Sequence, residues 1–507
     1  MATADETQHQ RLDTEEILHV IESDDPHGVY GDAFITSIAQ MGMNDCQADL
    51  SRVKAAVKES DSLNGNDFSA AIKKKTEEIV DSNANNDVDR QGPPPVEEPE
   101  EPVYWEDVED IVLAHFDQHT LNMVEAVCAN IVVLTFDNNA SCPMLFLEGP
   151  SSSKKTTVLQ MTEGTVGELV QRVDSITSAS FVTHSTDQAD DEVGENDLLP
   201  MLRHRVLSVR EMSTFFSGDA DSLREIWSTL ASVADGDGFE KATGSQGLRG
   251  YSGDYRFAFQ GATTPLGPVA WNVMGNIGGR VLFHEAKADH NVSVIKRSVY
   301  SDGIPFDQML GECRKVVSGF LRTVWHQHAD GYASVDWESG DDWIPEDEVQ
   351  NATVLLAKLV SHSRTPANDY SSSGWKVSET EDYWRVTDLI KQISRAAAFM
   401  RGSRRVEMKH MELATRVALS TMPAARRPYV RMLIDPETNE KMTTQDVMKY
   451  ADVSKPTAIK YMRLMDQLGI GDLQDIGEGQ KSEYLIWKDP EFSNIWTTGL
   501  PFPDDYF

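Results

Sequence analysis

The sequence predicts an α/β fold in which helices cover a largely parallel sheet, with helical modules before and after it. In the middle of the chain, short apolar runs of strand length alternate with segments of helical periodicity, which is typical of a layered α/β protein. The runs are 131–134, 144–147, 205–209, 256–260 and 281–283. From Ile304 onward the apolar spacing is mostly helical. We therefore expect an α/β core over residues 103–300 and a helical region with acidic insertions over residues 301–435.

Residues 1–80 are predicted to form a separate helical module. Apolar residues recur at helical spacing in four segments, 12–22, 33–41, 46–58 and 68–80. The stretch 81–102 has no periodicity and is dense in proline and acidic residues, so we expect it to be a stiff, exposed linker. A last compact unit is expected at residues 436–507.

The charge of the chain restricts its partners. Its 507 residues include 46 Lys and Arg against 82 Asp and Glu, which gives a net charge of −36. A uniformly acidic surface repels nucleic acid and anionic membranes, so any DNA binding requires a local basic patch. The acidic excess is also typical of proteins from organisms that live in high salt, a hypothesis that full activity in dilute buffer would contradict.

Other features exclude whole classes of protein. There is no uninterrupted apolar run of about 18 residues, so we expect no membrane-spanning helix. The first residues are polar and acidic, unlike a secretory signal. The four cysteines are far apart and lack the spacing of a zinc site or a disulfide framework. We expect reduced thiols and a cytoplasmic protein.

A phosphate-binding loop is the first candidate site. The segment Gly-Pro-Ser-Ser-Ser-Lys-Lys-Thr, residues 149–156, follows the apolar run 144–147 and opens a helical segment. In such loops backbone N–H groups wrap the phosphates, a lysine neutralises the β and γ charges, and a hydroxyl ligates Mg²⁺. The candidate nucleotide-binding residues are Gly149, Ser151, Ser152, Ser153, Lys154, Lys155, Thr156 and Thr157. An ordinary turn rich in serine and lysine is the alternative.

Three polar residues follow the later strands. Glu211 comes after the run 205–209, where an acid could polarise the attacking water or hold Mg²⁺ through water. Thr264 follows the run 256–260 and would bring a hydroxyl near the γ-phosphate, while Arg280 directly precedes the run 281–283. Each residue taken alone could simply face solvent, but the occurrence of all three in this order is harder to explain in that way.

This order of features resembles the AAA+ core of minichromosome maintenance (MCM) type helicases, and also the shorter AAA+ ATPases of archaeal mobile elements and viruses. The resemblance covers about residues 120–420 and implies ATP and Mg²⁺ as cofactors. It implies that Lys155 and Thr156 match the Walker A motif and Glu211 the Walker B glutamate, with Thr156 and Glu211 serving the metal. Thr264 would be the sensor 1 residue.

The resemblance extends to the helical region. Residues 385–401 and 406–414 are similar to the helical lid of the family, and Arg385 falls where that lid carries its sensor 2 arginine. Arg280 would be the arginine finger, which acts on the nucleotide of a neighbouring subunit. The implied assembly is a homo-oligomeric ring, with a hexamer as one possible size.

Two positions depart from the family. Lys154 replaces a loop glycine that is used because the backbone angles there are costly for a side chain. Arg210 stands where the family has the aspartate linked to Mg²⁺. Either change could weaken turnover while leaving nucleotide binding. Alternatively, the two added cations could substitute for metal charge, since catalysis here is mainly electrostatic.

A basic segment lies inside the predicted lid. Residues 385–431 contain eleven basic and three acidic residues, and screening over about 8 to 10 Å lets such a patch attract phosphates despite the acidic average. Arg404, Arg405, Arg426 and Arg427 are the DNA-binding candidates. The alternative is that these arginines pair with neighbouring acids or face the nucleotide.

The C-terminal unit resembles a winged helix-turn-helix. A short helix at 443–451, a tight turn and a second helix at 455–468 are followed by two β-like runs flanking residues 477–480. The second helix of this motif enters the major groove. We expect DNA contacts from Lys455, Thr457, Lys460, Tyr461 and Arg463, and internal packing from Val453, Ile459, Met462 and Leu468. Winged helices also serve as protein contacts, which is the alternative.

One more DNA candidate lies between residues 235 and 255. This segment is rich in glycine and carries Lys241 and Arg249, at the place where the resembled family inserts a β-hairpin into the central channel of the ring. A flexible loop is the alternative.

The sequence predicts, as the leading function, a DNA-dependent ATPase, either a ring-forming helicase or a replication initiator of a mobile element or virus. The alternative is a winged-helix DNA-binding regulator whose degenerate loop senses nucleotide without hydrolysing it. A third hypothesis is an adaptor that loads a replication protein through residues 1–80.

Overall fold

The structure is a computed structural model that describes most of the chain. The described residues are 14–23, 26–31, 34–38, 47–60, 62–75, 96, 98–137, 141–163, 168–182, 197–213, 215–243, 247–277, 280–287, 296, 300, 304–329, 331–339, 344–370, 374–477, 483–495 and 499–502. The chain divides into two compact units, residues 1–92 and 93–507.

The described residues of the first unit are mostly helical. It contains α1 (Thr14–Ile21), a 3-10 turn (Pro26–Tyr30) and α2 (Gln47–Glu59), with further helical residues at 34–38 and 65–75. Its own apolar core includes Ile17, Val29, Ile38, Val53 and Phe68. Most of the predicted linker, residues 81–95, lies outside the described residues.

The strands of the second unit are short. In chain order they are β1 (Met144–Glu148), β2 (Val170–Val173), β3 (Val206–Val209), β4 (Gly238–Thr243), β5 (Gly247–Ser252), β6 (Ala258–Thr263), β7 (Val281–Glu285), β8 (Ala367–Tyr370), β9 (Gly374–Val377), β10 (Lys441–Thr443), β11 (Gly471–Asp475) and β12 (Tyr484–Lys488).

The main helices alternate with the early strands and then dominate the chain. They are α3 (Trp105–His115), α4 (Gln118–Val132), α5 (Lys155–Thr162), α6 (Ala220–Val233), α7 (Pro268–Ile277), α8 (Phe306–Thr323), α9 (Asp347–Arg364), α10 (Trp384–Phe399), α11 (Met411–Ser420), α12 (Arg427–Ile434), α13 (Thr444–Ala451) and α14 (Lys455–Gln467). Short helices lie at Ser178–Phe181, Leu198–Leu202 and Pro490–Ser493.

A five-stranded parallel sheet confirms the predicted α/β fold class. Its strand order is β2-β3-β6-β1-β7, so β1 lies between β6 and β7. Leu147 of β1 is level with Ala262 on one side and His284 on the other. Because all five strands are parallel, the segments that follow them meet at one edge of the sheet. We call this edge the carboxyl edge.

The strands form where buried apolar runs are flanked by turns. Every residue of β1, β3 and β6 is buried, as expected for a parallel sheet covered on both faces. The predicted strand at 131–134 is wrong, because these residues continue α4 into a 3-10 turn, Val133–Thr135. A short apolar run fits a buried helix equally well. Conversely, β2 was missed because its Val-Gln-Arg-Val sequence is only partly apolar and partly buried.

The helical region after the sheet packs on helix α5 and on the outer strand β7. Helix α8 contacts α5 and α3, and Arg314 Nε donates to Gln160 O over 3.0 Å. Helix α11 packs on β7, where Phe283 N donates to Thr421 Oγ1 over 3.0 Å. One continuous apolar cluster joins Leu147 in the sheet to Ile393 in α10.

The C-terminal residues form two helices and a three-stranded antiparallel sheet in the order β10-β12-β11. Thr443 caps α13, accepting a hydrogen bond from Asp446 N over 3.3 Å, and Ser454 stands at the start of α14. Met462 and Leu468 are buried, while Val453 and Ile459 are partly buried against the same core. The two helices lie at the predicted residues, and most of the loop between β11 and β12, 478–482, falls outside the described residues.

His410 is a buried histidine that is held neutral. It is 3% exposed, its Nδ1 accepts a hydrogen bond from Glu407 N over 3.0 Å, and burial lowers its pKa from 6.5 to about 4. Between these two pKa values the unfolded chain binds a proton that the folded chain does not. We expect the free energy of unfolding to be lower by about 3 kcal/mol at pH 4 than at pH 6.5 for this reason, with full stability regained above pH 6.5.

Denaturant unfolding as a function of pH measures this effect. The control is His410→Asn, whose amide oxygen can accept the same hydrogen bond but does not titrate. The difference in unfolding free energy between wild type and variant should shrink as the pH falls from 6.5 to 4. A constant difference over this range would contradict the neutral, buried state of His410.

No helix in the described ranges combines the length and the apolar content that crossing a bilayer requires.

Candidate functional site

The candidate phosphate-binding loop lies at the carboxyl edge, between β1 and α5. Gly149 N donates to Thr263 O of β6 over 3.2 Å, and a Cβ atom on Gly149 would lie 2.0 Å from Ala286 O. Only glycine therefore fits between the ends of β6 and β7. Within the loop, Ser151 and Ser152 are exposed, whereas Ser153 is buried and its hydroxyl donates to Pro150 O over 2.8 Å.

Lys155 lies beneath the loop at the first residue of α5. Its side chain is largely buried, and Nζ donates to Gly149 O over 2.8 Å, to Pro150 O over 2.6 Å and to Ser153 Oγ over 3.1 Å. Burial lowers the pKa of Lys155, while the charges of Glu211 and Glu148 oppose that shift. The ammonium is therefore largely removed from solvent at the centre of the loop, where its positive charge could neutralise the charge of a phosphate.

The hydroxyls next to Lys155 face outward. Thr156 is exposed and Thr157 half-buried in the first turn of α5, whose N–H groups have no helical partners of their own. A loop of this shape at a helix N-terminus suits an anion. The residues present therefore fit the phosphates of a nucleotide.

Lys154 has the left-handed backbone conformation that is expected at a loop position usually occupied by glycine. Its φ is 62°, and Ser152 also has a positive φ of 66°. The Lys154 ammonium does not reach over the loop, because it forms an ion pair with Asp117 at the start of α4. Burial alone would raise the pKa of Asp117, but hydrogen bonds from Lys154 and Thr120 outweigh it and hold the pKa below its ordinary value.

Arg210, the second departure, is also paired. It forms a bidentate contact with Glu163 just after α5, in which Nε donates over 2.9 Å, and this hydrogen bonding raises the pKa of Arg210. Neither added cation is therefore directed at the loop. The hypothesis that these cations replace metal charge does not fit these two pairs.

Glu211 is exposed after β3, and its Oε1 accepts a hydrogen bond from Ser213 N over 2.9 Å. Because β3 and β1 are parallel strands of one sheet, Glu211 lies at the same edge as the loop. No group of three or more His, Cys, Asp or Glu side chains able to hold a metal occurs in the described part of the chain. Thr156 and Glu211 are the oxygen donors suited to Mg²⁺, which commonly takes one or two protein ligands plus substrate phosphates and water.

Thr264 follows β6 and is half-buried, with its carbonyl accepting from Thr263 Oγ1 over 3.0 Å. Two residues later, Leu266 N donates to Glu148 Oε1 over 2.9 Å. Glu148 is the last residue of β1, is fully buried, and forms an ion pair with Arg427. The loop that carries Thr264 is thus tied to the residue that precedes Gly149.

A small cleft opens at the same edge. Its walls include His119 of α4, Lys287 after β7, and Arg416 and Ser420 of α11. The cleft lies at the end of β7, beside β1, where Glu285 is level with Glu148.

Arg280 lies at the opposite edge of the sheet from the loop. It directly precedes β7, whose first residue is level with the first residue of β1. Its guanidinium makes a bidentate contact with Asp235, with Nε and Nη2 donating over 2.9 and 2.8 Å. Arg280 therefore cannot serve the loop of its own chain.

Arg385 lies in the exposed first turn of α10, beside Trp384, which is 82% exposed. Among the residues that the structure describes, the side-chain hydrogen bonds of the loop lysines go to Asp117, Gly149, Pro150 and Ser153, and not to Arg385. The arginine of the helical region that contacts the end of β1 is instead Arg427.

Two predicted DNA contacts are corrected by their burial. Arg426 is 5% exposed and its Nη1 donates to Ser363 O over 2.6 Å and to Thr365 O over 2.8 Å, at the end of α9. Burial lowers the pKa of Arg426 to about 10. Arg427 is 4% exposed and bonded to Glu148. Neither guanidinium can reach a DNA backbone from these positions.

Other predicted DNA contacts lie at the surface. Arg404 and Arg405 are exposed after α10, and Arg405 is 3.4 Å from Glu346. Lys241 is exposed on β4, directly opposite Arg249 on β5. Arg249 is 3.8 Å from the buried carboxylate of Asp197. The segment 235–255 therefore forms a β-hairpin, with its tip, 244–246, outside the described residues.

The second C-terminal helix, α14, is only partly open. Lys455 is exposed at its first turn, and Thr457 is half-buried with its hydroxyl 2.9 Å from that of Ser454. Lys460 Nζ lies 2.6 Å from Asp369 of β8, and Tyr461 stacks on Tyr429 at 4.3 Å between ring centroids.

Arg463, the remaining predicted contact of α14, is exposed and hydrogen-bonded to the Tyr484 hydroxyl. The β8–β9 hairpin covers the middle of α14, whereas the first turn of α14 stays accessible.

Sequence reasoning missed the acidic partners of the predicted site cations. Asp117, Glu163, Asp235 and Asp369 each pair with a predicted site cation, and Asp117 lies 37 residues from Lys154 in the chain. Of these four, only Asp117 could have been located from its neighbours in sequence, since an aspartate before a helical segment is a frequent N-cap. The others depend on contacts between distant elements.

No family model matches the chain, and no curated protein matches it. Among solved structures it aligns with the Orc1 protein of Aeropyrum pernix in complex with DNA, at 12% identity and a TM-score of 0.21, over 74% of this chain and 90% of that one. A TM-score this low does not establish a common fold, so the functional assignment depends on the residues of this chain alone.

Proposed function

We propose that the protein is an AAA+ type ATPase that binds ATP with Mg²⁺ and acts on DNA. The observation that carries the proposal is the loop between β1 and α5, with Lys155 buried beneath it and bonded to Gly149 O and Pro150 O. The position of this loop next to β6 and β7, in a parallel sheet, is the position that a nucleotide-binding loop requires.

Hydrolysis is assigned to the residues around this loop. Thr156 would hold Mg²⁺ through its hydroxyl, and Glu211 would orient or polarise the attacking water. Lys155 would stabilise the charge that develops on the transferred phosphoryl group. Mg²⁺, when bound, would supply further charge neutralisation between the β and γ phosphates.

Arg280 is proposed to act on the nucleotide of an adjacent subunit. Its place at the edge opposite to its own loop supports this role. Arg280→Ala is expected to leave ATP affinity within about threefold of wild type, while turnover falls by about a thousandfold, which is a typical effect of losing such an arginine. Steady-state ATPase and equilibrium nucleotide titration measure the two quantities.

A matched control for Arg280 is Asp235→Asn, which removes the charge that holds the guanidinium and leaves the arginine in place. It should retain turnover. Full activity of Arg280→Ala, or full activity of a strictly monomeric wild type, would contradict the proposed role.

DNA binding is proposed for the accessible cations, Arg404, Arg405, Lys241 and Lys455, and for Arg463 at the side of α14. Lys455→Ala is expected to weaken DNA binding at all sequences and to reduce the slope of log K against log salt concentration by about one unit, because one phosphate contact is lost. Fluorescence anisotropy with duplex DNA at several salt concentrations measures this slope.

The control for Lys455 is Lys376→Ala, which removes an exposed lysine from β9, an element not proposed to bind DNA. It should leave the slope unchanged. Equal slopes for wild type and Lys455→Ala would remove Lys455 from the DNA interface.

The experiment that tests the function is an ATPase assay with and without single-stranded DNA, at low and at multimolar salt. Stimulation by DNA supports the proposal, and higher activity at multimolar salt supports the halophilic interpretation of the acidic surface. Equilibrium titration with ATP under the same conditions measures binding, and a purified protein that binds no ATP in any of them would overturn the proposal.

A second function is favoured by one observation. Arg210 occupies the place of a metal-linked aspartate and is held by Glu163, which supports a regulator that binds nucleotide and DNA without hydrolysis. Comparison of Glu211→Gln with wild type separates the two. A wild type that binds ATP but turns over no faster than Glu211→Gln would be the regulator.

The finer parts of the proposal concern biological context. We propose a ring-forming helicase or a replication initiator of a mobile element or virus, with residues 301–435 as its helical lid and residues 436–507 as a winged helix-turn-helix. The helical module at residues 1–80 would contact a replication protein. These proposals rest on the order of motifs and on the helix-turn-helix followed by a hairpin.

A further inference from the structure

The end of β1 carries a buried carboxylate that the proposed hydrolysis does not use. Glu148 is 0% exposed, although an acidic side chain is rarely fully buried without a partner. It directly precedes Gly149, the first residue of the phosphate-binding loop. Any displacement of Glu148 therefore displaces the start of the loop.

The two oxygens of Glu148 bind different parts of the molecule. Oε1 accepts a hydrogen bond from Leu266 N over 2.9 Å, and Leu266 is two residues after Thr264. Oε2 accepts from Nη2 of Arg427, the first residue of α12. One side chain thus joins the phosphate-binding loop, the Thr264 loop and the helical region.

Arg427 extends the junction. Its Nη2 also donates to Ser420 O at the end of α11 over 2.8 Å, and its Nη1 donates to Glu285 Oε1 at the end of β7 over 3.3 Å. Because its guanidinium is planar and its donors are fixed in direction, the α11–α12 junction can satisfy all these acceptors in only one position.

The electrostatics suit a positioning role. Replacing a buried ion pair by apolar side chains of similar size is often neutral or favourable for stability, so such a pair is weak evidence of a stabilising role. Burial raises the pKa of Glu148, and the charge of Arg427 and the hydrogen bond from Leu266 N oppose this shift.

We infer that Glu148 and Arg427 are positioning residues that set the Thr264 loop and the α11–α12 junction relative to the phosphate-binding loop, so that a shift of the helical region is transmitted to the γ-phosphate end of the site. The inference rests on the proposed ATPase function. It assigns to Arg427, a predicted DNA contact, a role at the nucleotide site instead.

The test is the double variant Glu148→Met with Arg427→Met, which keeps the volume and removes both charges together. We expect the folded variant to bind ATP within about threefold of wild type and to hydrolyse it at least tenfold more slowly, since Lys155 stays in place while Thr264 loses its fixed distance to the loop. Equilibrium binding and single-turnover hydrolysis measure the two quantities separately.

Two further variants keep the test decisive. Arg431→Met removes an ion pair with Glu285 without touching Glu148, and it should leave the hydrolysis rate unchanged. Arg427→Lys keeps the charge but not the geometry and should show an intermediate hydrolysis rate. If the double variant fails to fold, this lysine variant decides between the outcomes.

The inference is overturned if the double variant, or Arg427→Lys in its place, hydrolyses ATP at the wild-type rate. It is equally overturned if binding and hydrolysis fall in parallel, as a merely structural role predicts. A wild type that does not bind ATP would instead refute the proposed function, so the two failures are distinguishable.

Discussion

Lys155→Ala is expected to lower ATP affinity by about a hundredfold or more, with the fold retained. The ammonium is the buried charge at the centre of the loop, and its charge-assisted hydrogen bonds to phosphate would be among the strongest in the site. In the free protein the same ammonium bonds Gly149 O and Pro150 O. Titration calorimetry with ATP, beside a thermal unfolding scan, measures affinity and folding together.

Lys154→Gly is the matched control, since it changes the neighbouring lysine of the same loop. Its ammonium is bound to Asp117 and its backbone is left-handed, a conformation that glycine adopts without cost. We expect this variant to keep ATP affinity within about threefold. Unchanged affinity in Lys155→Ala, or a larger loss in Lys154→Gly, would show that the loop has been assigned incorrectly.

Arg426→Met is expected to lower the free energy of unfolding by about 3 kcal/mol, because it leaves the buried carbonyls of Ser363 and Thr365 without their donor. These carbonyls lie at the end of α9, where a helix has acceptors that its own backbone cannot satisfy. Denaturant unfolding followed by circular dichroism measures the change.

Arg404→Met is the comparison for Arg426, because it removes an exposed arginine from the same basic segment. Its unfolding free energy should change by less than about 0.5 kcal/mol, while DNA binding weakens. The opposite pattern, in which Arg426→Met is stable and binds DNA poorly, would restore Arg426 to the DNA interface.

The sequence was sufficient for the parts of the fold that depend on neighbouring residues. The run 144–147, the loop that follows it and the helix opened by Lys155 were all predicted, because a buried strand, a turn and a helix start each have local signatures. The helices and the hairpin strands after residue 443 were predicted for the same reason. The strand predicted at 131–134 was wrong because apolar residues alone do not distinguish a buried helix from a strand.

The environment of the charged residues was not predictable from the sequence. Arg426 and Arg427 lie in a segment whose surplus of positive charge indicates a DNA surface, yet both are inside the molecule. Their partners, the end of α9 and Glu148, are distant in the chain and come close through the packing of α11 on β7 and the ion pairs of Arg427 and Arg431 with Glu285 at the end of β7. A count of charges along the chain carries no information on such packing.

The position of Arg280 also restricts the symmetry of any assembly. The loop and Arg280 lie at opposite edges of the sheet, so an arginine that serves another copy's loop must join two different surfaces. A two-fold dimer can make this contact only where one interface spans both edges, so that each copy's Arg280 meets the other copy's loop. Where the interface does not span both edges, the proposed contact is heterologous, and repeating it produces a closed ring or, if the rotation does not close, a helical filament.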